Sequence, residues 1–90
     1  MPFIAKGRHG SLRVGGREAA QLLEWTFTPG EPRWSVRADL GTYDDYWLAS
    51  NGPFELRLPL AQSTWRWRNV AVSREYKTLA ITGEGEPESL

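Results

Sequence analysis

Apolar and polar side chains alternate with a period of two along most of this chain, and turn residues cut the alternation roughly every ten positions. A period of two puts every second side chain on one face of an extended strand, so the pattern calls for sheet and not helix. Trp34, Val36, Ala38 and Leu40 alternate with Ser35, Arg37 and Asp39, and Phe54, Leu56, Leu58 and Leu60 alternate against Glu55 and Arg57. Leu12 and Val14 share a face of a short strand that runs into Gly15-Gly16. That dipeptide suits a type I′ hairpin turn, whose two central residues both need positive φ. Pro29-Gly30, Pro32 and Asn51-Gly52 mark further turns. Pro59 has no N–H to give a ladder, so its strand should lie at an edge or end there.

Two segments need closer reading. In "REAAQLLEWTFTP" a short helix would group Ala19, Ala20, Leu22 and Leu23, whereas a strand would alternate Leu23, Trp25 and Phe27 with Glu24, Thr26 and Thr28. The strand, over residues 21–28, is the better fit. In "TWRWRNVAV" the apolar set changes phase: Trp65 and Trp67 are odd, Val70 and Val72 even. One extra residue restores the core face after such a change, which predicts a β-bulge around Arg68-Asn69. A last turn is expected at Ser73-Arg74-Glu75, followed by a strand over 76–82 with Leu79 and Ile81 inward. The sum is an all-β fold: a compact antiparallel β-sandwich or barrel of about six strands with at most one short helix. The expected boundaries are an extended N-terminal arm over 1–10, a single β-domain over 11–83 and a flexible acidic tail over 84–90.

Composition narrows the chemistry. Ninety residues make one domain with a small core, to which five Trp, three Tyr and three Phe contribute heavily. Eleven Lys plus Arg balance eleven Asp plus Glu. A neutral chain has no general field for nucleic acid or an anionic membrane. With no Cys and one His, a disulfide framework, a thiolate nucleophile and a cysteine or histidine metal cage are excluded. No apolar run has the length of a membrane span, and a chain made without export is the expectation.

Each candidate motif has a plain structural alternative. "TWRWR" could stack bases on Trp65 and Trp67 with Arg66 and Arg68 along a nucleic-acid backbone. Alternation alone gives the other reading, with both indoles in the core beside Trp25 and Trp34 and both arginines outside, and the neutral charge favours it. The arginines could also reach acidic groups of a neighbouring subunit. Asp44-Asp45 between Tyr43 and Tyr46 could bind a cation, but without further carboxylates at ligand spacing a polar turn fits better. His9 has no carboxylate or nucleophile near it in sequence, and the glycines of "GRHGSLRVGG" belong to a hairpin and not to a phosphate loop. The expectation is no enzyme, no cofactor, no metal and no small-molecule substrate.

The stretch "AKGRHGSLRVGGREAAQLLEWTFTP" resembles the opening of tail-tube-like structural proteins of tailed bacteriophages: a glycine before a short strand, a glycine turn, then a strand ending in Trp25-Thr26. "WRWRNVAVSREYKTLAITGEGEPE" is similar to the last hairpin and acidic end of small virion β-proteins. The resemblance implies a non-enzymatic virion building block, acting in a tail tube, as a capsid decoration or as a minor capsid protein. Its partners would be copies of itself and the major capsid or tail proteins of the particle. Lys6, Arg8, Arg13 and Arg17 at one terminus face Glu84, Glu86 and Glu88 at the other, which suits head-to-tail meeting of copies as well as simple solvation. The contact residues expected on this reading are Phe3, Ile4, Lys6, Arg8, Arg66, Arg68, Glu84 and Glu86.

Overall fold

The structure, a computed structural model, describes residues 5–90. Its strands are β1 Ala5–Val14, β2 Arg17–Thr28, β3 Arg33–Tyr43, β4 Phe54–Leu60, β5 Ser63–Glu75, β6 Thr78–Glu84 and β7 Glu88–Ser89, with one helix, α1 Asp45–Leu48, between β3 and β4. β1 to β3 form one antiparallel meander and β4 to β6 a second. Pairing of β1 with β4 and of β3 with β6 closes the two into a six-stranded barrel, and β7 adds to β5. The expected all-β fold with one short helix is what the chain forms.

Strand direction decides what lies at each end. Because every pairing is antiparallel, β3 finishes and β4 starts at the same end, so the link between the meanders must cross it. That link carries α1, capped by the Asp44 carboxylate, which accepts from the N–H groups of Tyr46 and Trp47 at 3.0 and 3.3 Å. A cap of this kind satisfies helix donors that would otherwise lack partners. Leu48 points inward, buried, and plugs the end. The opposite end holds the start of β1, the β2–β3 and β4–β5 turns and the end of β6.

The core is the inward half of each alternation. Leu12, Leu22, Leu56, Leu58, Leu79 and Ile81 are fully buried, and no polar or charged residue is buried among the described residues. Burial of each such aliphatic chain contributes about 1.5–3 kcal/mol. Gly15 and Gly16 have φ of 58° and 80°, as the first hairpin requires. Phe54 faces Val70 and Glu55 faces Arg68, so Asn69, at φ 55°, is the extra residue of the expected bulge. Pro59 lies beyond the β1–β4 pairing, where nothing asks for its N–H.

Two expectations are corrected, the start and phase of the second strand and the position of the last turn. The strand after the first hairpin starts at Arg17, and its phase slips: Leu22 faces Leu40 while Trp25 faces Ala38, so Leu23 and Glu24 together oppose Asp39. Leu22 and Trp25 are therefore inward and Leu23 is 53% exposed. The last turn is Tyr76-Lys77, two residues later than expected, with Tyr76 at φ 58°. Of the expected arm, residues 5–10 form the first half of β1, paired to β2, while residues 1–4 lie outside the described residues. Part of the acidic tail is strand β7.

Candidate assembly surfaces at the two ends of the barrel

The open end is built from aromatic rings. Phe27, Trp34 and Trp67 form a triangle with centroid separations of 5.5, 5.6 and 5.4 Å. Trp34 and Trp67 are only 5% and 7% exposed. Two cross-strand glycines make room for the indoles: Gly7 opposite Trp25 and Gly83 opposite Trp34. A Cβ on Gly7 would stand 2.3 Å from the Trp25 ring, and one on Gly83 2.4 Å from the Trp34 ring. The rings thus lie flat over bare backbone. His9, at φ 66°, turns its carbonyl so that Trp25 Nε1–H donates to it at 2.7 Å. The Nε1–H groups of Trp34 and Trp67 are buried without an acceptor among the described residues. Each such donor costs about 1–3 kcal/mol.

These rings floor a recess of about 430 Å³, with Ala5, Leu60 and the tail residues Gly85, Glu86 and Pro87 on its rim. A concave, mainly apolar surface of that size can receive an apolar side chain or a short segment. Trp65 is half-buried beside it, and its Nε1–H donates to the Leu60 carbonyl at 3.1 Å.

The plugged end offers the opposite surface. Tyr46 and Tyr76 are 75% and 81% exposed. Arg74 organises the rim between them, donating to Tyr43 Oη at 3.0 Å and to Asp45 at 3.3 Å while its guanidinium lies 4.5 Å from the Tyr43 ring centre. The hydrogen bond to Tyr43, helped by Asp45, pushes the Arg74 pKa up, with partial desolvation opposing.

A third surface is the outer face of β1, β4 and β5. Register aligns Arg13, Glu55 and Arg68 in one row and Arg57, Arg66 and Glu88 in the next. Arg57 and Arg66 face each other directly, which like charges oppose unless acids attend them. Glu55 pairs with Arg57, and Glu88 holds Arg66 at 3.0 Å and Arg68 at 3.3 Å. The hydrogen bond from Arg66 is the main reason that the Glu88 carboxyl sits below its ordinary range; desolvation opposes it, and the charges of Arg66 and Arg68 add to it.

The contact residues expected from sequence are dispersed over these surfaces. Lys6 and Arg8 point outward from β1, with Arg8 3.7 Å from Glu24. Glu84 pairs with Arg33 at 3.2 Å, and Glu86 is exposed at the recess rim. Arg66 and Arg68 are brought together, by Glu88. Phe3 and Ile4 lie outside the described residues. Sequence reasoning passed over Glu88 as a partner of the arginines, Arg74 and Tyr76. Glu88 has no periodicity to give it away, whereas the tyrosines around Asp44-Asp45 were a usable signal.

Among the described residues no group of three or more His, Cys, Asp or Glu is placed to hold a metal ion, and no helix is long and apolar enough to cross a membrane. The fold and its surfaces define a small closed antiparallel β-barrel with one plugged and one open end. Compared with family models, with curated proteins and with solved structures, the chain matches none.

Proposed function

We propose that this chain is a non-enzymatic structural protein of a tailed-phage particle, incorporated into the virion through contacts with copies of itself or with the particle's capsid or tail proteins. The observation that carries the reading is the exposed tyrosine of the plugged end: Tyr46, edge-on to Trp47, and Tyr76 hold most of their surface in water at the same end as Arg74. Tyrosine and arginine are the residues that anchor protein interfaces, and a small barrel gains nothing in its own stability from holding two phenol rings in water. The open end, with Leu60 exposed on the rim of its apolar recess, supplies a second contact of different chemistry. Light scattering of the purified chain, with mass spectrometry of purified particles, tests this. Self-association or incorporation is expected, reduced in Tyr46→Ala/Tyr76→Ala. A chain that is strictly monomeric and absent from particles overturns the reading.

The arginine face supports a second reading, a small single-stranded nucleic-acid binder. Arg13, Arg57, Arg66 and Arg68 share one surface. Binding of a single-stranded oligonucleotide that weakens steeply with salt and is lost in Arg66→Ala/Arg68→Ala is its signature. The inward position of Trp67 removes one of the two stacking platforms that this reading needs.

A further inference from the structure

The tail that follows β6 continues the barrel wall without belonging to it. The upper half of β5 pairs with β6, Ala71 facing Thr82, and the lower half pairs with β7, Trp65 facing Ser89. The second ladder is shifted by one residue, and the extra residue lies on the tail side, in the link between β6 and β7. β7 thus fills a place on β5 that would otherwise be an open strand edge with unpaired backbone groups. What holds it there is slight. Two residues pair, Leu90 N–H donates to the Thr64 carbonyl at 2.9 Å, and Glu88 bridges Arg66 and Arg68 on the surface. Exposed ion pairs of this kind contribute little.

The acceptor side is more strongly built than the segment that occupies it. Four arginines stand in the two rows against Glu55 and Glu88, and Arg66 Nε is buried without an acceptor among the described residues. The connection is easily redirected, since Gly85 has φ 88° with nothing within 4 Å of where a Cβ would lie. An acidic extended segment is what this edge recognises. The same segment carried by another copy would make the same contacts.

We propose that the lower edge of β5 accepts the tail of a second copy of this chain, and that two copies exchange tails mouth to mouth. Reach fixes the geometry. Six residues past Glu84 span at most about 20 Å, and the barrel is 38 Å in its longest dimension. A copy stacked with its plugged end on the mouth would hold its β5 acceptor at its far end, out of reach. Two open ends must meet, which makes the contact isologous and self-limiting at a dimer, and covers both aromatic recesses. The inference deepens the assembly reading and rests on it, replacing the head-to-tail meeting expected from the charged termini.

The chain has no native cysteine, so added thiols report cleanly. Thr64→Cys chain mixed with Leu90→Cys chain under oxidising conditions should give a covalent heterodimer whose yield rises with concentration. Glu88→Gln in the Leu90→Cys chain should cut that yield roughly three- to tenfold, the effect of losing two exposed ion pairs. The doubly substituted chain reports closure within one molecule, and circular dichroism confirms folding of each variant. A Tyr76→Cys/Leu90→Cys chain that oxidises into covalent ladders growing with concentration would mean head-to-tail contacts and overturn the exchange while keeping assembly. A full chain that is monomeric throughout and still found in particles, while the doubly substituted chain forms only the internal disulfide, would also overturn the exchange alone. Monomeric and absent from particles, it would take both readings down.

Discussion

The two ends of the barrel solve the same problem with different materials. At the plugged end, α1 crosses the opening and Leu48 drops into it, so aliphatic side chains close the core and the surface is left to tyrosines, Arg74 and acids. At the open end no element crosses among the described residues. Phe27, Trp34 and Trp67 lean on one another and leave a recess rimmed by the tail. The first end is finished, with its helix donors capped and its leucine buried. The second keeps an apolar hollow and two indole donors that have no acceptor among the described residues. A barrel that needed only to be stable would close both ends alike. The asymmetry teaches that stability and contact surface have been divided between them.

Removing a large side chain from each end breaks the comparison most severely. Trp34→Ala should cost about 3–5 kcal/mol and Leu48→Ala about 2–3 kcal/mol in urea unfolding, since the loss scales with the volume removed and the collapse possible around it. If Leu48→Ala proved the more damaging, the plug and not the aromatic triangle would be the keystone. Gly83→Ala comes next, at about 1–3 kcal/mol, because its methyl group would enter the Trp34 ring. Trp34→Phe in the same molecule should recover part of that loss, since phenylalanine lacks the benzo edge. A double-mutant cycle that shows no coupling would refute the glycine-for-indole fit.

The turns sharpen the contrast further. The β1–β2 hairpin at the plugged end uses Gly15-Gly16 and the β5–β6 turn there has one non-glycine residue, Tyr76, at positive φ, whereas the β4–β5 turn at the open end puts both Ala61 and Gln62 there, at φ of 53° and 67°. Side chains with a Cβ resist that region. Ala61→Asn with Gln62→Gly should therefore raise stability by about 1 kcal/mol in thermal or urea unfolding. No gain would mean that the turn is held by contacts made elsewhere on the open end.

These turns also show where the sequence was legible. The clean alternations of β3 and β4, the Gly15-Gly16 hairpin and the bulge at Asn69 could be read directly, because each is a local pattern with a local cause. The slip in β2 could not. Which of Leu22 and Leu23 goes inward depends on Asp39 across the ladder, a partner that β2 alone does not reveal. The turn at Tyr76-Lys77 was missed for a related reason, as tyrosine at positive φ is no turn signal. Of the candidate contact residues, the alternation placed the Trp65 to Arg68 strip correctly as a sheet face with arginines outward. It left Trp65 only half-buried, and it could not show that Glu88 returns to those arginines from 20 or more positions away.

Acid separates the two ends with the smallest effect of all. Glu88 titrates below the ordinary carboxylate range when β7 is docked, because Arg66 and Arg68 favour its charged form. A group lowered in this way contributes fully above its unfolded pKa, and the contribution disappears as pH falls through the lowered folded value. The tail should therefore stay docked at neutral pH and loosen only in distinctly acid solution. Trp65, which faces Ser89, offers the fluorescence to follow it. Trp65 lies at the open end, away from the Asp44 cap and the Arg74–Asp45 pair of the plugged end, so its emission follows the tail and not those carboxylates. In Glu88→Gln the acid step at Trp65 should vanish while global unfolding in urea hardly moves. An acid step that survived the substitution would not belong to Glu88 and would leave β7 held by its backbone alone.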